Sequence, residues 1–261
     1  MQPGSNRPGF VGVSLKMYLD HAATLDWVAA AAKIAGDHPA VRSQRVEVAV
    51  LPTFVSIEAA HRVAGDSGLR IGAQDVAWAD RGPYTGEVSA GDLAVLGCRF
   101  VEIGHAERRA QFGEDDTMIA GKLAATVRHG LTPLLCVGET DTVDAEAAAD
   151  FCLRQIAGAL TDVDTPVADL IIAYEPVWAI GAEHPADADH VRQVCRLIRS
   201  GLDQDQRLQQ LRIIYGGSAG PGTLTDLADA VDGLFLGRFA HDPDAFGQVL
   251  DEADRQVGRI T

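Results

Sequence analysis

The chain has little positive charge, and lysine is the scarcest part of it. Its 261 residues carry 22 Lys plus Arg against 37 Asp plus Glu, a formal net charge of −15, and the only lysines are Lys16, Lys33 and Lys122. Nucleic acids and anionic membranes are bound through basic patches that replace counterions, so this balance argues against both as partners. Any anionic ligand has to be held by local features. Cysteine is sparse too: Cys98, Cys136, Cys152 and Cys195 are far apart, with no C-x-x-C. They read as reduced, mostly buried thiols, and neither a disulfide framework nor a metal site is expected. No run approaches 18 apolar residues, and Met1–Pro8 lacks the apolar core and cleavage pattern of an export signal. The expectation is a soluble, cytoplasmic protein.

What is present is a repeated unit. With 47% hydrophobic residues, the chain can bury a large core, as two small domains or one α/β barrel. Short aliphatic runs alternate with amphipathic, alanine-rich stretches from end to end, without a linker or a composition break. The runs predict strands at Phe10–Ser14, Arg45–Leu51, Arg70–Gln74, Phe100–Gly104, Pro133–Val137, Leu170–Tyr174, Arg212–Tyr215 and Gly233–Leu236. Helices are expected over Leu25–Ala35, Met118–His129, Ala145–Leu160, Ala188–Leu202 and Ala245–Gln256, with Gly36 and Gly130 as C-terminal caps. Eight such units predict one (β/α)8 barrel over residues 1–261, with residues 1–9 as a flexible tail. A doubly wound open sheet is the alternative, but the G-x-G-x-x-G that such a sheet usually carries after its first strand is absent.

In a barrel the strand ends converge on one face, and chemistry-bearing residues stand at several of them. Leu170–Ala173 runs into Tyr174-Glu175-Pro176-Val177-Trp178-Ala179-Ile180-Gly181, a lone carboxylate followed by a proline-stiffened, glycine-ended loop that reads as a lid. Strand one ends in Ser14-Leu15-Lys16, whose ammonium is the compact point charge a small phosphorylated substrate needs in an acidic protein; Schiff-base chemistry is also open to it. Strand four ends in His105-Ala106-Glu107, a weak signal by itself that begins like a zinc deaminase motif without the Pro-Cys-x-x-Cys to complete it. Strands seven and eight run into Gly216-Gly217-Ser218 and Gly237-Arg238, where small residues let backbone N–H groups approach an anion.

Lys16-Met17, Gly72-Ala73-Gln74, Tyr84-Thr85-Gly86-Glu87, the His105 run, Phe112-Gly113-Glu114, Cys136-Val137-Gly138-Glu139-Thr140, the Glu175 lid and Tyr215-Gly216-Gly217-Ser218 together resemble the triosephosphate isomerase family, in order and over nearly the whole chain. The resemblance implies a TIM barrel that moves a carbonyl along a small phosphorylated sugar through an enediol, with no cofactor. It implies Glu175 as base, His105 as neutral electrophile and Lys16 as charge partner, with Glu107 holding Lys16 between turnovers. It places main-chain donors to phosphate at Gly181, Ser218, Gly237 and Arg238, and makes Tyr84–Glu87 the loop of a homodimer interface.

The chain departs from familiar members of that family in four places. Ser14 stands for Asn, Ala106 for Ser, Ala182-Glu183-His184-Pro185 for Thr-Gly-Lys-Thr, and Gly237-Arg238 for a glycine pair. Ala106 is expected to leave the resting Glu175 without a hydroxyl partner. Ser14 opens space at the reacting end of the substrate. That space, with the Ser14-x-Lys16 start, Trp78-Ala79-Asp80 and Gly237-Arg238, is similar to the family's isomerases of tetrulose phosphates, so L-erythrulose 1-phosphate is the favoured substrate and triose phosphate the alternative. A silent phosphate-binding barrel and a Schiff-base aldolase on Lys16 are the readings from other classes.

Overall fold

The computed structural model describes residues 8–180 and 185–260. Eight strands, β1 (Gly9–Ser14), β2 (Val46–Leu51), β3 (Leu69–Ala73), β4 (Phe100–Ile103), β5 (Thr132–Val137), β6 (Leu170–Tyr174), β7 (Leu211–Tyr215) and β8 (Gly233–Leu236), lie in sequence order with helices between them. Each pairs parallel with the next, and β1 pairs with β8 to close the (β/α)8 barrel. Every strand falls within one residue of its predicted limits, because strands covered on both faces must be near-continuous aliphatic runs.

Two local expectations are corrected. Gly9 is not part of a tail: it opens β1 and its N–H donates to Arg45 O at 2.8 Å. Gly36 is not a cap either. Its helix runs from His21 to Asp37 and is closed by His38, whose N–H donates to Ala35 O, and Pro39 then opens the next helix. The same helix starts four residues before its predicted limit, because Asp20 caps it by accepting from the Ala23 N–H at 2.8 Å. Gly130 behaves as expected: it follows the helix Asp116–Arg128 with φ +72°, the left-handed turn glycine permits. The four cysteines are free and buried. Among the described residues no helix is long and apolar enough to cross a membrane.

The two-residue period of the strands decides what the barrel contains. Phe10, Leu51, Phe100, Leu134, Ile171, Ile214 and Phe235 point inward and form a closed inner core, while the alternate residues pack under the helices. Phe10 and Phe100 meet edge to face at 5.2 Å. Gly12 has to be glycine, since a Cβ there would lie 2.7 Å from Phe10 and 2.8 Å from Phe235. Counting on from Phe10 and Phe100 in steps of two puts Ser14 and Glu102 inside the barrel as well, at its carboxyl end. These polar side chains floor the site.

Candidate active site

Beyond Ser14 the chain turns sharply. Lys16 has φ +51°, a left-handed conformation that a side chain makes costly, and Gln74 holds it by donating from Nε2 to Lys16 O and to Leu51 O, each at 2.9 Å. The turn brings Lys16 Nζ to Glu102, to which it donates at 3.0 Å, while Ser14 Oγ donates to the other Glu102 oxygen at 2.7 Å. Burial works against the charge on Lys16, but Glu102 and Glu175 prevail and lift its pKa. Burial also works against charge on Glu102, yet Lys16, His105 and Ser14 together hold its pKa below the ordinary carboxylate value.

The partner of Lys16 is therefore Glu102, which corrects the expectation that Glu107 holds it. Glu102 is an inward residue of β4 and 1% exposed. Glu107 lies in the first turn of the helix Ala106–Phe112, at the mouth, with its carboxylate 3.6 Å from His105 Nδ1 and a side chain that is 45% exposed.

His105 caps that helix. Gly104, at φ +70°, turns the chain out of β4, and His105 Nδ1 then accepts from the Glu107 N–H at 3.2 Å. The opposite nitrogen, Nε2, stands 2.9 Å from Lys16 Nζ and 3.2 Å from Glu175 Oε2. Charge and geometry pull apart on this ring. Burial works against protonation, the Glu175 and Glu102 carboxylates favour it, and the balance lifts the pKa. The Nδ1 contact is the firmer guide to the tautomer, because an imidazolium would set its own N–H against that of Glu107. It leaves the neutral ring with its hydrogen on Nε2.

Glu175 follows β6 and is 2% exposed. Its N–H donates to Val137 O at 2.9 Å, and its Oε1 accepts from the Ala106 N–H at 3.1 Å. The missing hydroxyl at position 106 thus does not leave the carboxylate alone: the backbone at a helix start, where N–H groups lack intrahelical partners, takes the role. The lid begins as a short 3-10 turn, Val177–Ala179. Trp178 Nε1 donates to Glu139 at 2.7 Å, Tyr174 Oη donates to the same oxygen at 3.2 Å, and the Val177 N–H donates to Glu139 O at 3.0 Å. Gly181 and the departures at Ala182, Glu183 and His184 lie outside the described residues.

Ser14, Lys16, His105, Glu107, Glu175, Ser218, Gly237 and Arg238 all line one cavity of about 320 Å³, within the span of small-molecule sites. Ile180, Phe235 and Phe239 add apolar wall. Sequence reasoning had missed Glu102, although a lone acid between Val101 and Ile103 in an apolar strand was a signal. It had also missed the work of Gln74 and Glu139, which lie in motifs it had singled out.

A buried carboxylate, an imidazole and an ammonium at the carboxyl mouth of an eight-stranded barrel define a sugar-phosphate isomerase of the TIM-barrel type. The family profile described as Triosephosphate isomerase matches residues 9–253, and the chain belongs to that family. It is similar to an L-erythrulose-1-phosphate isomerase of Pectobacterium atrosepticum, 48% identical over 95% of this chain and 97% of the relative. It is also similar to an L-erythrulose-1-phosphate isomerase of Rhizobium etli, at 38% over 96% and 94% of the two chains. A triosephosphate isomerase of Mycobacteroides abscessus is 37% identical over 94% and 96%.

Proposed function

We propose that the protein converts L-erythrulose 1-phosphate to D-erythrulose 4-phosphate through an enediol, without a cofactor. The observation that carries the choice of substrate is at the reacting end of the cavity, where Ser14 rather than a carboxamide stands beside Lys16 and His105. L-Erythrulose 1-phosphate is dihydroxyacetone phosphate with one added CH2OH at that end, and the smaller side chain leaves room for it. The names of the two L-erythrulose-1-phosphate isomerases agree with this reading.

Each residue then has a step. Glu175 takes the proton from C3 and returns it to C2, while His105 Nε2–H gives its hydrogen to O2 and the ring accepts the one on O3, so one carbon-bound and one oxygen-bound hydrogen change places and the carbonyl moves by one carbon. Triosephosphate isomerase is the standing example of this division between a Glu base and a neutral His. Lys16 offsets the charge of the enediolate. The segment from Val177 to Gly181 closes over the intermediate, which would otherwise lose its phosphate to water. Main-chain N–H groups of Gly181, Ser218, Gly237 and Arg238 hold the phosphate. Glu107 stands at the mouth with its carboxylate 3.6 Å from His105 Nδ1.

A side-by-side assay of the purified protein on L-erythrulose 1-phosphate and dihydroxyacetone phosphate tests the substrate. A higher kcat/KM on the four-carbon ketose supports the proposal, and a higher value on the triose replaces it with ordinary triosephosphate isomerase. The working form in this reading is a cytoplasmic homodimer built through Tyr84–Glu87, an exposed turn in which the Glu87 N–H donates to Tyr84 O at 3.1 Å. Free buried thiols suit a reducing compartment. Specific activity should fall on dilution as subunits part, and a fully active monomer by light scattering would remove the dimer.

A further inference from the structure

Ser14 does more than leave room. Its Oγ is bonded at 2.7 Å to Glu102, which is 1% exposed and spans the barrel interior from β4 to β1. An ionised carboxylate has no hydrogen to give. Both Glu102 oxygens are engaged, one by Lys16 at 3.0 Å and one by Ser14. The single hydrogen of the Ser14 hydroxyl is therefore committed inward, and only oxygen lone pairs are left to face the cavity that Ser14 lines.

We infer that Glu102 fixes Ser14 as a hydrogen-bond acceptor, and that this acceptor recognises the terminal hydroxyl of a four-carbon ketose phosphate as a donor. The inference rests on the substrate reading above and deepens it. Of the substrate's polar groups, the phosphate goes to the Ser218 and Gly237 side, and O2 and O3 go to Lys16 and His105; the hydroxyl on the added carbon remains. A carboxamide at position 14 would offer both an N–H2 and a C=O, so it would read no polarity. A serine tied to a buried carboxylate accepts only. Ser14 is then a specificity residue in contact with substrate, and Glu102 a positioning residue that acts through Ser14 and Lys16. A triose phosphate has no group for this acceptor, and a methyl in place of the hydroxyl would leave the buried oxygen facing carbon, at a desolvation cost.

The test compares L-erythrulose 1-phosphate with its 4-deoxy analogue, which keeps the carbon skeleton and lacks only the terminal oxygen. In the wild-type enzyme the hydroxyl compound should be favoured in kcat/KM by about tenfold, the scale of one buried hydrogen bond. Ser14→Ala should erase that preference whatever it does to the rate the two compounds share. Glu102→Gln should lower turnover of both, through Lys16, and should relax the discrimination against a 4-deoxy-4-fluoro analogue, which can accept a hydrogen bond but not donate one, since a carboxamide can donate to Ser14 Oγ and release its hydrogen toward the cavity. A general loosening of the barrel would lower both rates and leave their ratio alone. A hydroxyl-to-deoxy ratio unchanged by Ser14→Ala, or a fluoro analogue that Glu102→Gln handles no better than the wild type, overturns the inference while the four-carbon reading stands. A wild-type enzyme that prefers dihydroxyacetone phosphate fails the substrate reading first, and this inference with it.

Discussion

Shortening Glu175 by one methylene tests the mechanism without removing its chemistry. In the resting site the carboxylate is fixed at both oxygens, by the Ala106 N–H at 3.1 Å and beside His105 Nε2 at 3.2 Å, with its backbone tied to Val137 O at 2.9 Å. Because the backbone is anchored, Glu175→Asp withdraws the carboxylate by about 1 Å and the chain cannot follow. A displacement of that size between base and carbon costs on the order of 100-fold in rate, equivalent to about 2.7 kcal/mol of transition-state stabilisation. Substrate binding, which in the proposed mechanism draws on the phosphate donors and Lys16, should not be touched. Steady-state kinetics on the preferred ketose phosphate should show kcat down by about two orders of magnitude with KM nearly constant, the signature of an interaction made only in the transition state. If Glu175→Asp instead keeps its kcat and raises KM, Glu175 is a binding group and the base must be sought elsewhere.

Two further outcomes follow from the charge pairs. His105, lifted above the ordinary imidazole value of 6.5 against burial by the Glu175 and Glu102 carboxylates, should titrate by NMR above that value in the free enzyme; it is charged below its midpoint, so kcat/KM should fall as pH drops through it, and Glu175→Gln should lower the midpoint, an unmoved midpoint refuting the assignment. Lys122 is 1% exposed and bonded to Asp75 at 2.7 Å and to Glu114, with Arg108 as the second cation on both carboxylates, so Lys122→Met leaves two buried acids to one cation and should cost about 3 kcal/mol, and a loss below about 1 kcal/mol in denaturant unfolding would show that Arg108 alone satisfies them.

Most of the fold was legible because its strands are covered on both faces, and Leu170–Tyr174 or Gly233–Leu236 cannot be apolar without being buried. The residues at the strand ends were legible for the same reason: a barrel brings its carboxyl ends together whatever the loops do. What failed to show was contact across the interior. Whether Lys16 meets Glu102 or Glu107 depends on closure of the sheet and on the inward phase of β4, and the nearer match to a familiar motif was the wrong one. The Ala106 contact was hidden for a different reason. It is made by a backbone N–H, which every residue but proline carries, so the side chain said nothing about it. Gly36 shows the limit of local rules, since a capping glycine is overridden when His38, bonded to Ala35 O and followed at once by Pro39, supplies another way to end the helix.

The resting geometry carries an argument about catalysis that no single residue does. Lys16 Nζ and His105 Nε2 are 2.9 Å apart, and with Nδ1 accepting from Glu107 both of them are donors. Two donors facing each other repel, and here they are held there by Glu102 on one side and a helix start on the other. Glu175 relieves the conflict while the site is empty, by taking up the Nε2–H at 3.2 Å and adding negative charge. Substrate relieves it better: an oxygen placed between the two donors accepts from both, most strongly when it carries the charge of the enediolate. In the proposed mechanism Glu175 is then released from Nε2 to serve the carbon, and the charge that had favoured an imidazolium leaves with it. On this proposal the ring is kept neutral at the moment it acts as an acid, and the base is freed by the same event that delivers its substrate. The donor pair is set in the fold before substrate arrives, so little reorganisation is left for the chemical step.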